Sequence, residues 1–419
     1  MTEHVLTLNA GSSSIKFALF AVDPAGGDGA RVFAGQVERI GGEPVIKAKG
    51  GQGEPKVERA LPAGAASDHA GACAAILSLI EEQYPGVAIP AVGHRVVHGG
   101  TAYATPMLLD DAVLSELERF SPFAPLHQPH NLAAVRAART AFPAAIQVAC
   151  FDTAFHRNHP WVNDTFALPR SFYDKGVRRY GFHGLSYEFI AGRLAEIAPT
   201  LHAGRVVVAH LGNGASMCGL LAGRSIGSTM GFSALDGLPM GTRSGQLDPG
   251  VILYLLQQEG MSAEDIVDLL YRKSGLLGLS GLSNDMRTLE AAGTPEARDA
   301  IDYFVFRVRR ELGALTAVLG GLDALVFTGG IGENSANVRR QVCDGLGWFG
   351  IEIDRAANAE DATVISTPFS RARVLVLATD EERVIARAAS GFVAEGRPLA
   401  PGAGPGAGTV AAEEAVASP

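Results

Sequence analysis

Two short segments of the chain share one design, and together they restrict the fold more than any other feature. Leu8-Asn9-Ala10-Gly11-Ser12-Ser13-Ser14 closes an apolar run from Val5 and opens another, Ile15 to Val22. Leu211-Gly212-Asn213-Gly214-Ala215-Ser216 follows Arg205 to His210 and precedes Met217 to Ala222. Each reads as strand, tight turn of small residues, strand, which is a β-hairpin. One opens each half of the chain, so the pair implies an internal duplication. A chain of 419 residues also exceeds one ordinary hydrophobic core, which makes two domains the expectation. Two such tips facing each other across a cleft could hold a polyphosphate from both sides.

The remaining pattern alternates strands and helices. Strands are expected over Ala91 to Val97, Ile146 to Phe151, Ala324 to Phe327 and Val374 to Leu377. Helical spacing covers Ser67 to Glu82, Asp110 to Phe120, Asn131 to Phe142, Asp248 to Gln258, Ser262 to Tyr271 and Ala297 to Leu319. A further helix follows Ser335, and Thr379-Asp380-Glu381-Glu382 opens the last one. This is an α/β chain.

Composition narrows the class. Apolar residues at 47% and charged residues at 19% describe a globular protein. A formal net charge of -9 argues against a general nucleic-acid binder, although clustered Arg can reverse the field inside one cleft. Cys73, Cys150, Cys218 and Cys343 have no metal-site spacing and read as reduced core thiols of a cytoplasmic protein. The N-terminus lacks a secretory pattern. Val206 to Gly223 is broken by His210, Asn213 and Ser216, which argues against a membrane span. Residues 397–419 are rich in Gly, Pro and Ala, and a disordered tail is expected there.

Several motifs carry chemistry. Asn9 to Lys16 offers a close backbone at Gly11, hydroxyls at Ser12 and Ser14, and charge at Lys16, which suits a phosphate. Asn9 supplies an amide oxygen that could face a metal. The GxxxxGK[ST] loop is absent. His210-Leu211-Gly212-Asn213-Gly214 is a second candidate phosphate loop. A third, Gly330-Ile331-Gly332-Glu333-Asn334, sits between a strand and a helix, a favourable place for a nucleotide. Arg95 and Arg243 each lie in glycine-rich turns, and their planar forks match carboxylate and phosphate geometry. Asp152 ends a buried strand, and His183 is set between aromatics and glycines. His94, His98, His156 and His159 read as structural.

With these motifs in view, the sequence resembles the acetate kinase family. The segments Asn9 to Lys16, Gly93 to Gly100, Phe151 to His156, Arg179 to Gly184, His210 to Gly214, Met240 to Gly245 and Gly330 to Asn334 are similar to that family's signatures, in order, and the likeness spans about residues 4 to 390. The resemblance implies a two-lobed, duplicated ribonuclease H-like fold with an interdomain cleft, shared with actin, sugar kinases and heat-shock chaperone ATPases. It implies an N-terminal lobe of residues 1–152 joined by the C-terminal helix 383–396, and a nucleotide-binding lobe of residues 153–382. It implies a homodimer that transfers the ATP γ-phosphoryl group reversibly to acetate, giving acetyl phosphate and ADP, with Mg²⁺ and with Mn²⁺ as an alternative. No nucleic acid or membrane partner is expected.

Residue by residue, the resemblance puts Asn9 and Glu381 at the metal. Lys16, Ser12 and Ser14 approach phosphate. His210, Leu211, Gly212, Asn213, Gly214, Asp285, Met286, Arg287 and Gly330 to Asn334 bind nucleotide. Asp152, His183, Arg243, Arg95 and His127 are catalytic, and Arg95, Val97, Leu126, Phe182 and Ala234 contact the acid. Two departures stand out. Ala234 occupies a position where Pro is common, which could admit propionate. Asp380 replaces a common Asn, which leaves Glu381 and Glu382 as rival metal residues.

The chemistry fits those residues. A carboxylic acid with a pKa of about 4 is already ionised at neutral pH, so Asp152 need not remove the acceptor's proton. It is expected to orient the metal or its water, or to fix Arg95 or His183. Transfer needs positioning and charge neutralisation most of all, and direct in-line transfer is the expectation. A chaperone-like ATPase on the same fold would need a substrate domain beyond residue 390.

Overall fold

The computed structural model describes residues 3–11, 13–22, 29–51, 56–62, 64–125 and 127–395. Ser12, Leu126 and the 397–419 tail lie outside them.

Among the described residues two mixed sheets form. The first contains β1 (Glu3–Ala10), β2 (Ser14–Ala21), β3 (Arg31–Glu38), β4 (Val45–Gly50), β5 (Lys56–Ala60), β6 (Ala88–Val96), β7 (Met107–Leu108) and β8 (Ile146–Phe151), in the order β5-β4-β3-β2-β1-β6-β8-β7. The second contains β9 (Arg205–Leu211), β10 (Ala215–Leu221), β11 (Arg224–Ser228), β12 (Ala324–Thr328) and β13 (Arg373–Val376), in the order β11-β10-β9-β12-β13. The core of each sheet has one plan. An antiparallel meander (β1-β2-β3, β9-β10-β11) continues into two strands parallel to its first (β6 and β8; β12 and β13). The duplication read from the two hairpins is therefore present in the strand order.

The helices used below are α1 (His69–Gln83), α2 (Gln128–Ala141), α3 (Gly184–Ile197), α4 (Pro249–Gln257), α5 (Met286–Ala292), α6 (Pro295–Leu319), α7 (Gly329–Asn334) and α8 (Glu381–Ala394). The sequence dictates their ends. Thr294 caps α6 by accepting from the Ala297 amide, Pro295 fits the first turn, and Gly320 closes the helix in the left-handed region, as capping rules require. Ala297, Ile301, Phe304, Val308, Leu312 and Leu315 share one face of α6 and bury it against the second sheet with Val207, Met217 and Phe327.

Packing then places the cleft. The first sheet is covered on one face by α1 and α2 and on the other by α8. The second is covered by α6 on one face and by α3 on the other, through Tyr187, Ile190 and Leu194. Helix α3 thus follows the first sheet but packs on the second, while α8 follows the second and packs on the first. Gly93 makes the latter possible, since a Cβ there would stand 2.5 Å from Ile385 Cγ2. No helix among the described residues is long and apolar enough to cross a membrane. The last helix begins at Glu381, two residues ahead of the 383 expected for it, and Gly329–Asn334 forms the short helix α7 where a turn was expected.

Candidate active site

Arg95 is the hub of the cleft. It lies near the end of β6 beside β8, in register with Cys150. Its Nε donates to Asp152 Oδ1 at 3.0 Å, and its Nη2 to Oδ2 at 2.6 Å. Its Nη1 donates to Asn9 Oδ1 at 3.2 Å. Glu381 Oε2 stands 3.8 Å from Arg95 Nε and accepts from Asn9 Nδ2 at 3.3 Å. Three chain-distant elements, β1, β8 and the start of α8, therefore meet on one guanidinium. Asp152 is 1% exposed. Burial pushes its carboxyl up, and the Arg95 charge and hydrogen bonds oppose that. Burial works against Arg95 too, yet Asp152 and Glu381 outweigh it and hold the guanidinium charged. A bidentate ion pair is the state this geometry supports. At Glu382 burial pushes the carboxyl up, aided by Glu381 and opposed by Lys16.

Burial favours the uncharged form of the histidines in the cleft, His127, His183 and His210. His183 caps α3 with φ 57, a left-handed conformation that is uncommon outside glycine and asparagine. The next residue's amide, Gly184 N, donates to the Asp152 carbonyl at 2.9 Å, which ties the His183 turn to the end of β8. His183 Nδ1 pairs with Ser216 Oγ at 2.9 Å, and its ring stacks on His210 at 4.3 Å. His210 Nδ1 pairs with Ser186 Oγ at 2.8 Å. Burial drives the His183 pKa well below the ordinary value, with His210, Arg95, Arg243 and His127 adding to it. Burial and then Arg95 lower His210 to about 4. Gly214, in the second hairpin tip, lies against this ring: a Cβ there would be 3.3 Å from His183 Nε2.

Arg243 approaches from the 240–245 turn. Its Nη1 donates to the Ala234 carbonyl at 3.0 Å, and its Nη2 lies 3.3 Å from His127 Nε2. Burial lowers its pKa, and Arg95 contributes to the lowering. Among the described residues no carboxylate lies within ion-pair distance of Arg243. His127 is held at about 3, by burial and then by Arg243 and Arg95. Val97 and Phe182 are buried together in one cluster, and Ala234 packs against it.

The residues expected at the nucleotide separate into groups. The Gly241 amide donates to the Asn213 carbonyl at 3.1 Å, so the second hairpin tip and the Arg243 turn adjoin. A Cβ on Gly212 would come within 3.7 Å of the Gly330 amide, which brings that tip to the start of α7. Leu211 and Gly332 are buried, Ile331 packs on the core, and Asn334 Nδ2 donates to the Gly330 carbonyl at 2.9 Å. Met286 is also core. Asp285 caps α5 and pairs with Arg287 at 2.9 Å, and the Arg287 side chain is 86% exposed. Lys16 is exposed on β2, opposite Asn9 in the β1–β2 register, and Ser14 contributes its carbonyl to the Gly11 amide at 2.8 Å.

Some supporting residues carry no motif and escaped the sequence reading. Asn131 on α2 accepts from the Val97 amide at 3.0 Å and donates to the Ala10 carbonyl at 2.7 Å. Gln128 bonds both backbone groups of His98. His69 Nε2 meets the Gly11 carbonyl at 2.8 Å. Ser216 holds His183 and Tyr187 at once. For Asn131 and Gln128 the signal is an amide side chain in the first turns of a helix, while Ser216 lies in the second hairpin, where the pattern assigns it no role.

The fold and this cleft define a class: a two-lobed, duplicated ribonuclease H-like enzyme with two buried arginines in the cleft between its lobes. The acetokinase family profile matches residues 4–387. An acetate kinase of Methylocella silvestris is 58% identical over 393 residues, covering 92% of this chain and 97% of that protein. The crystal structure of Porphyromonas gingivalis acetate kinase superposes with a TM-score of 0.83 at 38% identity, covering 93% of this chain and 100% of that one. That of a propionate kinase from Francisella tularensis gives 0.86 at 36%, covering 93% and 99%. The chain belongs to the acetokinase family, and it is an ATP-dependent kinase acting on small molecules.

Proposed function

We propose that the chain transfers the γ-phosphoryl group of ATP reversibly to acetate, giving acetyl phosphate and ADP. The observation that carries this reading is Arg243: a guanidinium withdrawn from water, without a carboxylate partner among the described residues, beside Arg95 and three neutral histidines. A site of this kind favours an anion whose charge completes it. The names of the relatives, acetate kinase and propionate kinase, support a short carboxylate as that anion.

The residues divide the work as follows. Arg243 binds the acceptor carboxylate and then the transferring phosphoryl. Arg95, locked by Asp152, neutralises charge between acceptor and γ-phosphate, and a finger-like Arg can supply roughly 10³–10⁵ in rate. His183 and His127, being neutral, donate or accept hydrogen bonds without adding charge. The acid arrives ionised, so no base is required, and transfer is in line. Val97, Phe182 and Ala234 form the wall for the methyl group, and Lys16 faces phosphate. The hairpin tip His210 to Gly214 and Gly330 approach the nucleotide.

Asn9 and Glu381 are neighbours that each carry a hard oxygen donor, with Asn9 Nδ2 facing Glu381 and Asn9 Oδ1 facing Arg95, and Mg²⁺ is typically held by one or two carboxylates together with substrate phosphates. These residues fit that ion, with Mn²⁺ as an alternative. When bound, it would neutralise charge on the β- and γ-phosphates. Asp152 is directed at Arg95, which supports a positioning role for it. The lobe boundaries at 1–152 with 383–396, and at 153–382, belong to the same reading and are supported by the packing of α8 on the first sheet. Helix α4 buries none of its residues and exposes Leu253 at 53% and Tyr254 at 52%, which supports a homodimer closing over that face.

The test is hydroxamate detection of acyl phosphate with ATP and each short acid. Absence of signal with acetate and with propionate would end this reading. Propionate is the second reading, favoured by the small Ala234. Ala234→Pro should lower kcat/KM for propionate relative to acetate by about tenfold or more, within the range for one methylene. An unchanged ratio would remove Ala234 from the pocket.

A further inference from the structure

We propose that Glu333 is a positioning residue that links the nucleotide-side loop to Glu381, rather than a ligand of the nucleotide. This rests on the reading of Asn9 and Glu381 as the metal site. One carboxylate oxygen of Glu333 gathers three donors. Its Oε1 accepts from the Gly329 amide at 2.8 Å, the Thr379 amide at 3.2 Å and the Thr328 hydroxyl at 3.4 Å. Strands β12 and β13 run in parallel register to Phe327 and Val376, and the Leu377 amide still bonds the Phe327 carbonyl at 3.0 Å. Beyond that point the two chains diverge, one into α7 and the other into α8. Glu333 bridges the divergence.

The segment it holds is short and fully committed. After the Thr379 amide, Asp380 pairs with Arg31 on β3 and caps α8 by accepting from the Arg383 amide at 3.1 Å. Glu381 then reaches Asn9 and Arg95. Three consecutive residues are thus fixed to the second lobe, the first sheet and the metal-side pair in turn. A shift at Thr379 propagates to Glu381 two residues later. The other end is equally constrained: Gly329 has φ 77, and a Cβ there would sit 2.8 Å from the Leu211 carbonyl oxygen. The loop cannot move without disturbing the second hairpin tip. A carboxylate near a polyphosphate would repel it, and three converging donors remove that difficulty by spending its charge on the backbone.

The experiment uses the full chain with Glu333→Ala, Glu333→Gln and Glu381→Ala. Backbone hydrogen exchange reads the segments containing Gly329 and Thr379, electron paramagnetic resonance reads Mn²⁺ binding with ADP, and calorimetry with EDTA reads metal-free ADP binding. Glu333→Ala should speed exchange in both segments roughly threefold to tenfold, the scale of one lost hydrogen bond. It should weaken Mn²⁺ by a similar factor and leave metal-free ADP within about twofold. Glu333→Gln keeps an acceptor oxygen and should restore most of both. Should Glu333→Ala not fold, Glu333→Asp, one methylene short of the Thr379 amide, carries the same test. Metal-free ADP affinity falling as far as Mn²⁺ affinity would make Glu333 a nucleotide ligand and overturn the proposal. So would exchange rising at Gly329 alone. If Glu381→Ala leaves Mn²⁺ binding intact, the metal reading fails first. If Glu381→Ala abolishes it while Glu333→Ala does not affect it, only the link fails.

Discussion

Replacing Asp152 by Asn isolates the role of its charge. The side chain keeps its size and one acceptor oxygen, but an NH₂ group now faces Arg95, whose Nη2 sat 2.6 Å from the carboxylate. Arg95 loses the partner that faced both Nε and Nη2, and the nearest remaining carboxylate is Glu381 at 3.8 Å from Nε. Removing one partner of a buried ion pair costs about 3–5 kcal/mol. If all of it fell on the transition state, the rate would drop roughly 140-fold to 3,700-fold, at about 1.4 kcal/mol per tenfold. Asn keeps one bond, worth about 1 kcal/mol, so roughly 30-fold to 700-fold is expected. The assay is kcat/KM for acyl phosphate formation in Asp152→Asn, Arg95→Lys and the double variant. If Asp152 acts through Arg95, the double variant is hardly worse than the worse single, with a coupling of about 2 kcal/mol. Additivity within about 0.5 kcal/mol would refute the argument. Additivity together with a raised metal activation constant would make Asp152 a metal-side residue instead.

Arg243→Gln should lower kcat by about 10³-fold while leaving the melting temperature unchanged or higher, because a desolvated charge without a carboxylate partner is removed; a large fall in melting temperature would contradict that account. Stability should fall as pH drops below about 6.5, the unfolded histidine value, because His94 and His210 at about 4 and His98 and His127 at about 3 bind fewer protons folded than unfolded. At pH 5 the loss approaches about 2 kcal/mol per histidine, and denaturation midpoints equal at pH 7.5 and 5 would refute it. Leu253→Glu on α4 should convert a dimer to monomer in light scattering, and an unaltered mass would move the interface elsewhere.

The legible parts were those where a local pattern coincides with a backbone requirement. The two hairpins were readable because small polar turns between apolar runs have few other uses. Arg95 was readable as a candidate because it sits among glycines near a strand end, Asp152 because it ends a buried strand, and His183 because it lies between glycines and aromatics. What stayed illegible was pairing. The sequence left Asp152 with the metal, Arg95 or His183 as alternatives, and only the structure shows its carboxylate on the Arg95 fork. Strands β3, β4 and β5 escaped because Lys, Glu and Gln alternate weakly on their open face. Asn131, Gln128 and Ser216 escaped because a buried amide or hydroxyl reveals its partner only in three dimensions. Asp285 and Arg287 satisfy each other and a helix end, which a motif match alone could not distinguish from ligand contact.

The duplicated strand order explains why the site divides as it does. The ends of β6 and β12 are topological equivalents, and each is followed by a glycine pair, Gly99-Gly100 and Gly329-Gly330, whose Gly100 and Gly329 have φ 62 and φ 77. The first pair opens the side with Val97 and the acceptor arginines, and the second opens α7 on the nucleotide side. The ends of β8 and β13 are equivalent as well, and each delivers a carboxylate, Asp152 and Glu381, to Arg95. Two half-sites of one design thus became different by what occupies equivalent positions. Both contribute negative charge to a centre that must receive two anions. One guanidinium cannot offset Asp152, Glu381, a carboxylate and a triphosphate together. On the proposed reading the cleft therefore needs Arg243 and a cation beside Asn9, and Arg243→Gln or Asn9→Ala should still fold but lose the acceptor and the nucleotide as a pair.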